Sequence, residues 1–237
     1  MKELKPLKWN DYYSLYGIPI LLNFIACQLA IPYLEKNSSL PIEIIYFICV
    51  GGIALAPMFF GAIYLTRNEI SSSNTSDLLK RMRVQRLSGN DWVWTFCTFI
   101  LLCITSFFIA KVLMPQMGLD ATPFFFKNMP LDSGHMWILY VWPIFFFFNI
   151  FGEEFLWRGY IQPRQELQLK KWTWFFHGLF WAAWHLPMGL DLILASLPIF
   201  FILPAVVQLR QNTTIAIVVH AVFGAFGLIA IAFGGVH

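Results

Sequence analysis

The sequence predicts an all-α fold, a polytopic transmembrane helix bundle of about seven spans with its N-terminus in the cytoplasm, and three observations carry that expectation. Hydrophobic residues make up 58% of the 237 positions and charged residues only 12%, with a mean hydropathy of +0.64. A soluble domain carries about 25% charged residues, so too little polar surface is present to cover a globule in water. The apolar residues are gathered into stretches close to the ~20 residues that cross about 30 Å of hydrocarbon. Lys and Arg are distributed unevenly between alternate connections.

The same balance excludes a disordered chain and a disulfide-stapled secreted domain. A net charge of +3 does not mark a nucleic-acid surface, because the basic residues flank apolar stretches and form no single patch. The bilayer is the expected partner and nucleic acid is not. Cys27, Cys49, Cys97 and Cys103 all lie in apolar runs without the paired spacing of a zinc or redox motif, and behave as small hydrophobes.

Taken in order, the expected spans are 13–34, 40–65, 92–114, 136–157, 172–186, 192–209 and 213–236. Three lysines precede the first, which is too long for a signal-peptide core and has no small-residue cleavage site. The connection 67–91 is basic and polar. Thr75 or Ser76 suits the cap of a short helix ended by Gly89, with Leu78, Leu79 and Met82 on one arc and Lys80, Arg81 and Arg83 outside it. That pattern fits a connecting helix first, and second an interfacial helix on anionic lipid. The segment 115–135 is broken by Pro, Gly and charge and does not span. With the N-terminus inside, thirteen of the sixteen Lys and Arg residues fall on the cytoplasmic side, leaving only Lys36, Lys111 and Lys127 outside. Asn74 is therefore expected in the cytoplasm and His237 outside.

Ionisable groups within spans cost about 2.5–3.5 kcal/mol at a helix centre on insertion scales, so each requires a reason. They concentrate in the C-terminal half: Glu153, Glu154, Arg158, His177, His185 and His220. Glu154 and Arg158 are four residues apart on one helix face and suit an ion pair. Glu153 lies about 100° around the helix and is left for another partner. In an antiparallel hairpin turning at Leu169, midway between 153 and 185, Glu153 and His185 reach the same depth, roughly 20 Å from the turn. His220 approaches the same level from the last span. One Glu and two His in a bundle can hold a divalent metal or position a water.

The string Gly152-Glu153-Glu154-Phe155-Leu156-Trp157-Arg158 resembles the EExxxR motif of the CAAX prenyl protease and bacteriocin-processing (CPBP, or Abi) family of intramembrane proteases. Trp181-Ala182-Ala183-Trp184-His185 is similar to its FxxxH motif with Trp for Phe, and His220-Ala221-Val222-Phe223-Gly224 to its HxxxN motif with Gly for Asn. The resemblance covers residues 136–237, the expected catalytic core, and leaves 1–135 as N-terminal helices. It implies an intramembrane metalloendopeptidase in which Glu153 activates water with His185 and His220, and Glu154 and Arg158 hold the helix end. It also implies a divalent metal such as zinc on Glu153, His185 and His220. The substrate would be a membrane-associated or prenylated CAAX-type protein or peptide, and small size favours a bacterial plasma membrane. Gly224 lacks the amide that the resemblance implies as a donor to the oxyanion. A non-catalytic bacteriocin-immunity or peptide-capture protein using the same cavity is the competing expectation. A bis-histidine haem protein on His185 and His220 would leave both glutamates unexplained.

Overall fold

The computed structural model describes residues 3–119, 123–126 and 129–234. Among them every regular element is helical. Helix α1 spans Trp9–Asn37, α2 Ile42–Arg67, the short α3 Thr75–Arg81 and α4 Gly89–Gln116. They are followed by α5 over 138–169, α6 over Thr173–Trp184, α7 over Leu197–Arg210 and α8 over Thr213–Ala232.

Among the described residues, five helical stretches are long and apolar enough to cross a membrane: α1, α2, α4, α8 and a 47-residue path, Ile138–Trp184, that contains α5 and α6. The path is not one straight helix: α5 continues past Gly159 and Pro163 until Lys170, at φ 50°, turns the chain, so the stretches 136–157 and 172–186 stay on two helices, α5 and α6. In place of 192–209 stands α7, with 14 residues, because Ser196 separates it from the short turn of helix Leu190–Ala195. His237, Lys2, Lys127 and the end of the stretch 213–236 lie outside the described residues.

Proline placement shapes these helices. Among the described residues five wide, π-type turns occur, at Tyr13–Gly17, Ile25–Ala30, Val50–Leu55, Ile109–Leu113 and Phe155–Ile161. The second residue after each is a proline: Pro19, Pro32, Pro57, Pro115 and Pro163. A proline inside a helix removes one backbone donor and crowds the preceding turn, and a widened turn relieves both. In α5 the widening starts directly after Glu154 and includes Arg158.

Close helix contacts depend on missing side chains. A Cβ on Gly152 would stand 2.6 Å from the Leu55 carbonyl oxygen of α2, and one on Gly178 2.6 Å from that of Phe200 in α7. Across the chain, α3 is seated by Met82, fully buried, at Gly159 of α5. It is a connecting helix packed on protein. Asn74, not Thr75 or Ser76, caps it by accepting from the Ser76 amide at 2.9 Å. Gly89 does not end this helix; it begins α4, which Ser88 caps, and α3 stops earlier as Arg83 turns to φ 57°.

Charge gathers at one end of the bundle. Glu69 pairs with Arg81 and Arg164, Arg83 with Glu166 at 2.8 Å, and Arg210 with Asp91 at 2.9 Å. Burial alone would raise the Glu69 carboxyl, but Arg164 and Arg81 outweigh it and hold it below its ordinary value. Trp9, Trp92 and Trp172, all more than half exposed, stand where helices start at this same end, as interfacial aromatics do. The main apolar core runs from Leu7 to Val219, joining the N-terminal helices to the rest, and a smaller cluster gathers Met129, Leu228 and Ala232.

Candidate active site

The adjacent carboxylates of α5 diverge as helix geometry requires. Both are buried, with 1% exposure for Glu153 and none for Glu154. Glu153 faces α6 and its own preceding turn: Oε2 accepts the Trp181 indole N–H at 2.6 Å, and Oε1 accepts the Asn149 amide at 2.8 Å. Glu154 faces α8, where Oε1 accepts Nδ1–H of His220 at 2.7 Å and lies 3.4 Å from the Arg158 guanidinium. That guanidinium lies over the Trp181 ring, 3.5 Å from its centroid.

The hairpin forms where the sequence puts it, with Gln165 bonded to His177 at 2.6 Å and Glu153 to Trp181. Its register brings Trp181, not His185, directly against Glu153. One turn further on, His185 ends α6 and donates Nδ1–H to the Trp181 carbonyl at 3.0 Å. A carbonyl only accepts, so the neutral ring keeps its lone pair on Nε2. The His185 ring is held between Trp184 and Phe200, with centroids at 4.6 and 4.7 Å.

Glu153 and His185 wall one cavity of about 250 Å³, together with Tyr46, Phe145, Asn149 and Gly224. His220 is not among the lining residues; it stands against Trp181, with ring centroids 5.8 Å apart, and is occupied by Glu154. His177 is buried in a separate cluster with Tyr16 and Gln165.

A divalent metal is not supported by this donor set. Among the described residues no group of three His, Cys, Asp or Glu side chains is placed to hold one. His220 has turned to the other glutamate, which leaves Glu153 and His185 as only two of the three expected ligands facing one cavity.

Sequence reasoning brought Glu153, Glu154, Arg158, His185 and His220 to one region, but paired His220 with the wrong carboxylate and missed two donors. Asn149 carries a faint signal, a lone amide four residues before Glu153 in a run of phenylalanines. Trp181 carries none as a donor, since an aromatic at that position is explained by packing alone.

These helices coincide with a family match. Residues 135–226 match the model of type II CAAX prenyl endopeptidase Rce1-like proteins. The matched segment contains all five site residues and covers about two-fifths of the chain, and it agrees with the resemblance carried by the three motifs. Searches among curated proteins and among solved structures gave no match.

Proposed function

We propose that this chain is an intramembrane endopeptidase that hydrolyses a peptide bond of a membrane-associated, CAAX-type protein or peptide. One observation carries the proposal: a buried carboxylate, Glu153, and an imidazole with a defined free nitrogen, His185, open on the same apolar cavity within the family-matched helices. Glu153, held by Asn149 and Trp181, takes a proton from water as the water attacks the scissile carbonyl. The nearby His185 Nε2 is the second proton-accepting group. The proton moves on to the departing amine, and two fragments result. Apolar walls exclude competing water.

The remaining charges hold this arrangement in place. Glu154 accepts from His220 and attracts Arg158, and Arg158 in turn lies on the ring of Trp181, whose N–H holds Glu153. In this proposal the metal contributes no step, and the enzyme sits in a bacterial plasma membrane with the basic end of the bundle in the cytoplasm. The competing capture or immunity role gains from one observation, the engagement of His220 by Glu154 in place of Glu153.

The test is hydrolysis of a prenylated CAAX reporter peptide by the purified protein in liposomes. Glu153→Ala and His185→Ala are expected to abolish cleavage while the protein still inserts and purifies. Full activity of Glu153→Ala would overturn the enzyme proposal, and wild-type binding of the reporter without cleavage would install the capture role.

A further inference from the structure

Away from the site, two cavities adjoin at the basic end of the bundle. One, of about 260 Å³, is an apolar groove between α1 and α2 lined by Ile18, Leu22, Pro57, Met58, Gly61 and Leu156. The other, of about 440 Å³, is polar and lies under the N-terminal segment. Ser14, Leu15 and Leu65 line both, so the two are direct neighbours. From Leu15 to Leu22 the groove follows α1 for about 10 Å, at 1.5 Å per residue. Nothing stands within 4 Å of a Cβ built on Gly61, which keeps the groove open along α2.

The polar cavity is balanced in charge: Lys5, Lys8 and Arg164 line it with Glu3, Asp11 and Glu69. Arg164 and Glu69 are committed to each other. Lys5 and Lys8 make no ion pair among the described residues, while Asp11 accepts the Lys8 backbone N–H at 2.7 Å. The cavity thus offers two free ammonium groups and two carboxylates above a slot for one hydrocarbon chain.

We propose that this is a binding site for a zwitterionic phospholipid of the phosphatidylethanolamine type from the leaflet at the basic end. Its phosphate lies between Lys5 and Lys8, its primary ammonium meets Asp11 and Glu3, and one acyl chain fills the groove along Gly61. A trimethylated head group cannot donate hydrogen bonds to the carboxylates, and an anionic glycerol head group leaves them facing a phosphate without a compensating cation. Charge complementarity therefore selects the primary amine.

The experiment reconstitutes the full chain in equimolar phosphatidylethanolamine, phosphatidylcholine and phosphatidylglycerol, and measures co-purifying lipid by native mass spectrometry. Phosphatidylethanolamine is expected to be enriched over the other two. Lys5→Ala/Lys8→Ala, a change at exposed positions, should reduce its retention by about 25-fold, since each lysine near a lipid phosphate contributes roughly a factor of five. Gly61→Leu should displace the lipid from the groove by filling it. Equal retention of phosphatidylcholine, stronger retention of phosphatidylglycerol, or unchanged retention in the lysine variant would each overturn the proposal. These readouts are independent of proteolysis.

Discussion

Trp181 donates its indole N–H to Glu153 Oε2 at 2.6 Å while its ring lies beneath the Arg158 guanidinium at 3.5 Å. One side chain thus holds the carboxylate through its edge and the cation through its face. Phenylalanine, the residue of the motif this segment resembles, supplies only the face. Trp181→Phe is therefore expected to fold with Arg158 still stacked but to leave one Glu153 oxygen without its donor. A hydrogen bond to a charged group contributes about 1.5–3 kcal/mol, so the reporter cleavage rate should fall roughly 10- to 100-fold. Rates equal to wild type would remove Trp181 from the set of positioning residues.

The fold class was legible because composition and span length act at the scale of whole helices. Charge placement gave the basic end, where Arg81, Arg83, Arg164 and Arg210 gather in the structure. Helix continuity followed from the hairpin: for Glu153 to reach the level of His185, α5 has to run past Gly159 and Pro163, and in the structure a wide turn absorbs the proline while Met82 packs at the glycine. In the site, residue types and the hairpin were legible, but partner choice was not. Whether His220 meets Glu153 or Glu154 depends on a rotation of α5 of about 100°, which no spacing in α8 specifies.

The Glu154 cluster yields a prediction about stability. Arg158 and Glu154 have no exposed side-chain surface, and the guanidinium nitrogens find no hydrogen-bond acceptor among the described residues beyond the 3.4 Å approach to Glu154. Removing one member of a buried charge pair costs about 3–5 kcal/mol by leaving the other uncompensated. Arg158→Ala should accordingly lower both expression and thermal stability. His220→Ala should also abolish cleavage, yet it leaves Glu154 beside Arg158 and so should be the milder of the two in melting temperature. The reverse order would mean that His220, not Arg158, is the main partner of Glu154.

Gly178 tests the packing that brings α6 to the site. A methyl group there would stand 2.6 Å from the Phe200 carbonyl oxygen and 2.7 Å from the Phe201 ring. Because Phe200 also packs against His185, the expected displacement reaches the cavity. Gly178→Ala should destabilise by about 1–3 kcal/mol through overpacking and lower cleavage as well. Gly17→Ala, with nothing within 4 Å of the added carbon, should change neither and serves as the control.

Orientation rests on the asymmetry of basic residues and is directly measurable. Asn74 caps α3 at the charged end, whereas Asp132 and His135 pair at 2.8 Å near the segment that joins the end of α8 through the Leu131 amide and Ala232 carbonyl. In single-cysteine variants, a membrane-impermeant thiol reagent applied to intact cells should label position 132 and spare position 74. Equal labelling of both, or labelling of position 74 alone, would refute the cytoplasmic N-terminus.

Gly224 is where the chain departs most from the motif it resembles, and the structure places it on the cavity wall with Glu153 and His185. It lies one turn beyond His220 on α8, and a Cβ built there would meet Phe146 at 3.4 Å, an ordinary contact. The Cβ of an asparagine at this position therefore fits with little displacement, and its amide joins a wall whose other side-chain amide, Asn149, is committed to Glu153. Oxyanion donors contribute about 10²–10³ in rate where they are pre-positioned. Gly224→Asn is expected to raise the turnover number by up to about 10²-fold with the Michaelis constant little changed, because the new bond forms to the tetrahedral intermediate and not to the ground-state carbonyl. A weakened Michaelis constant with no gain in turnover would show that substrate itself fills the space Gly224 leaves open. No change in either would put Gly224 outside the reacting volume and detach the third motif from the site.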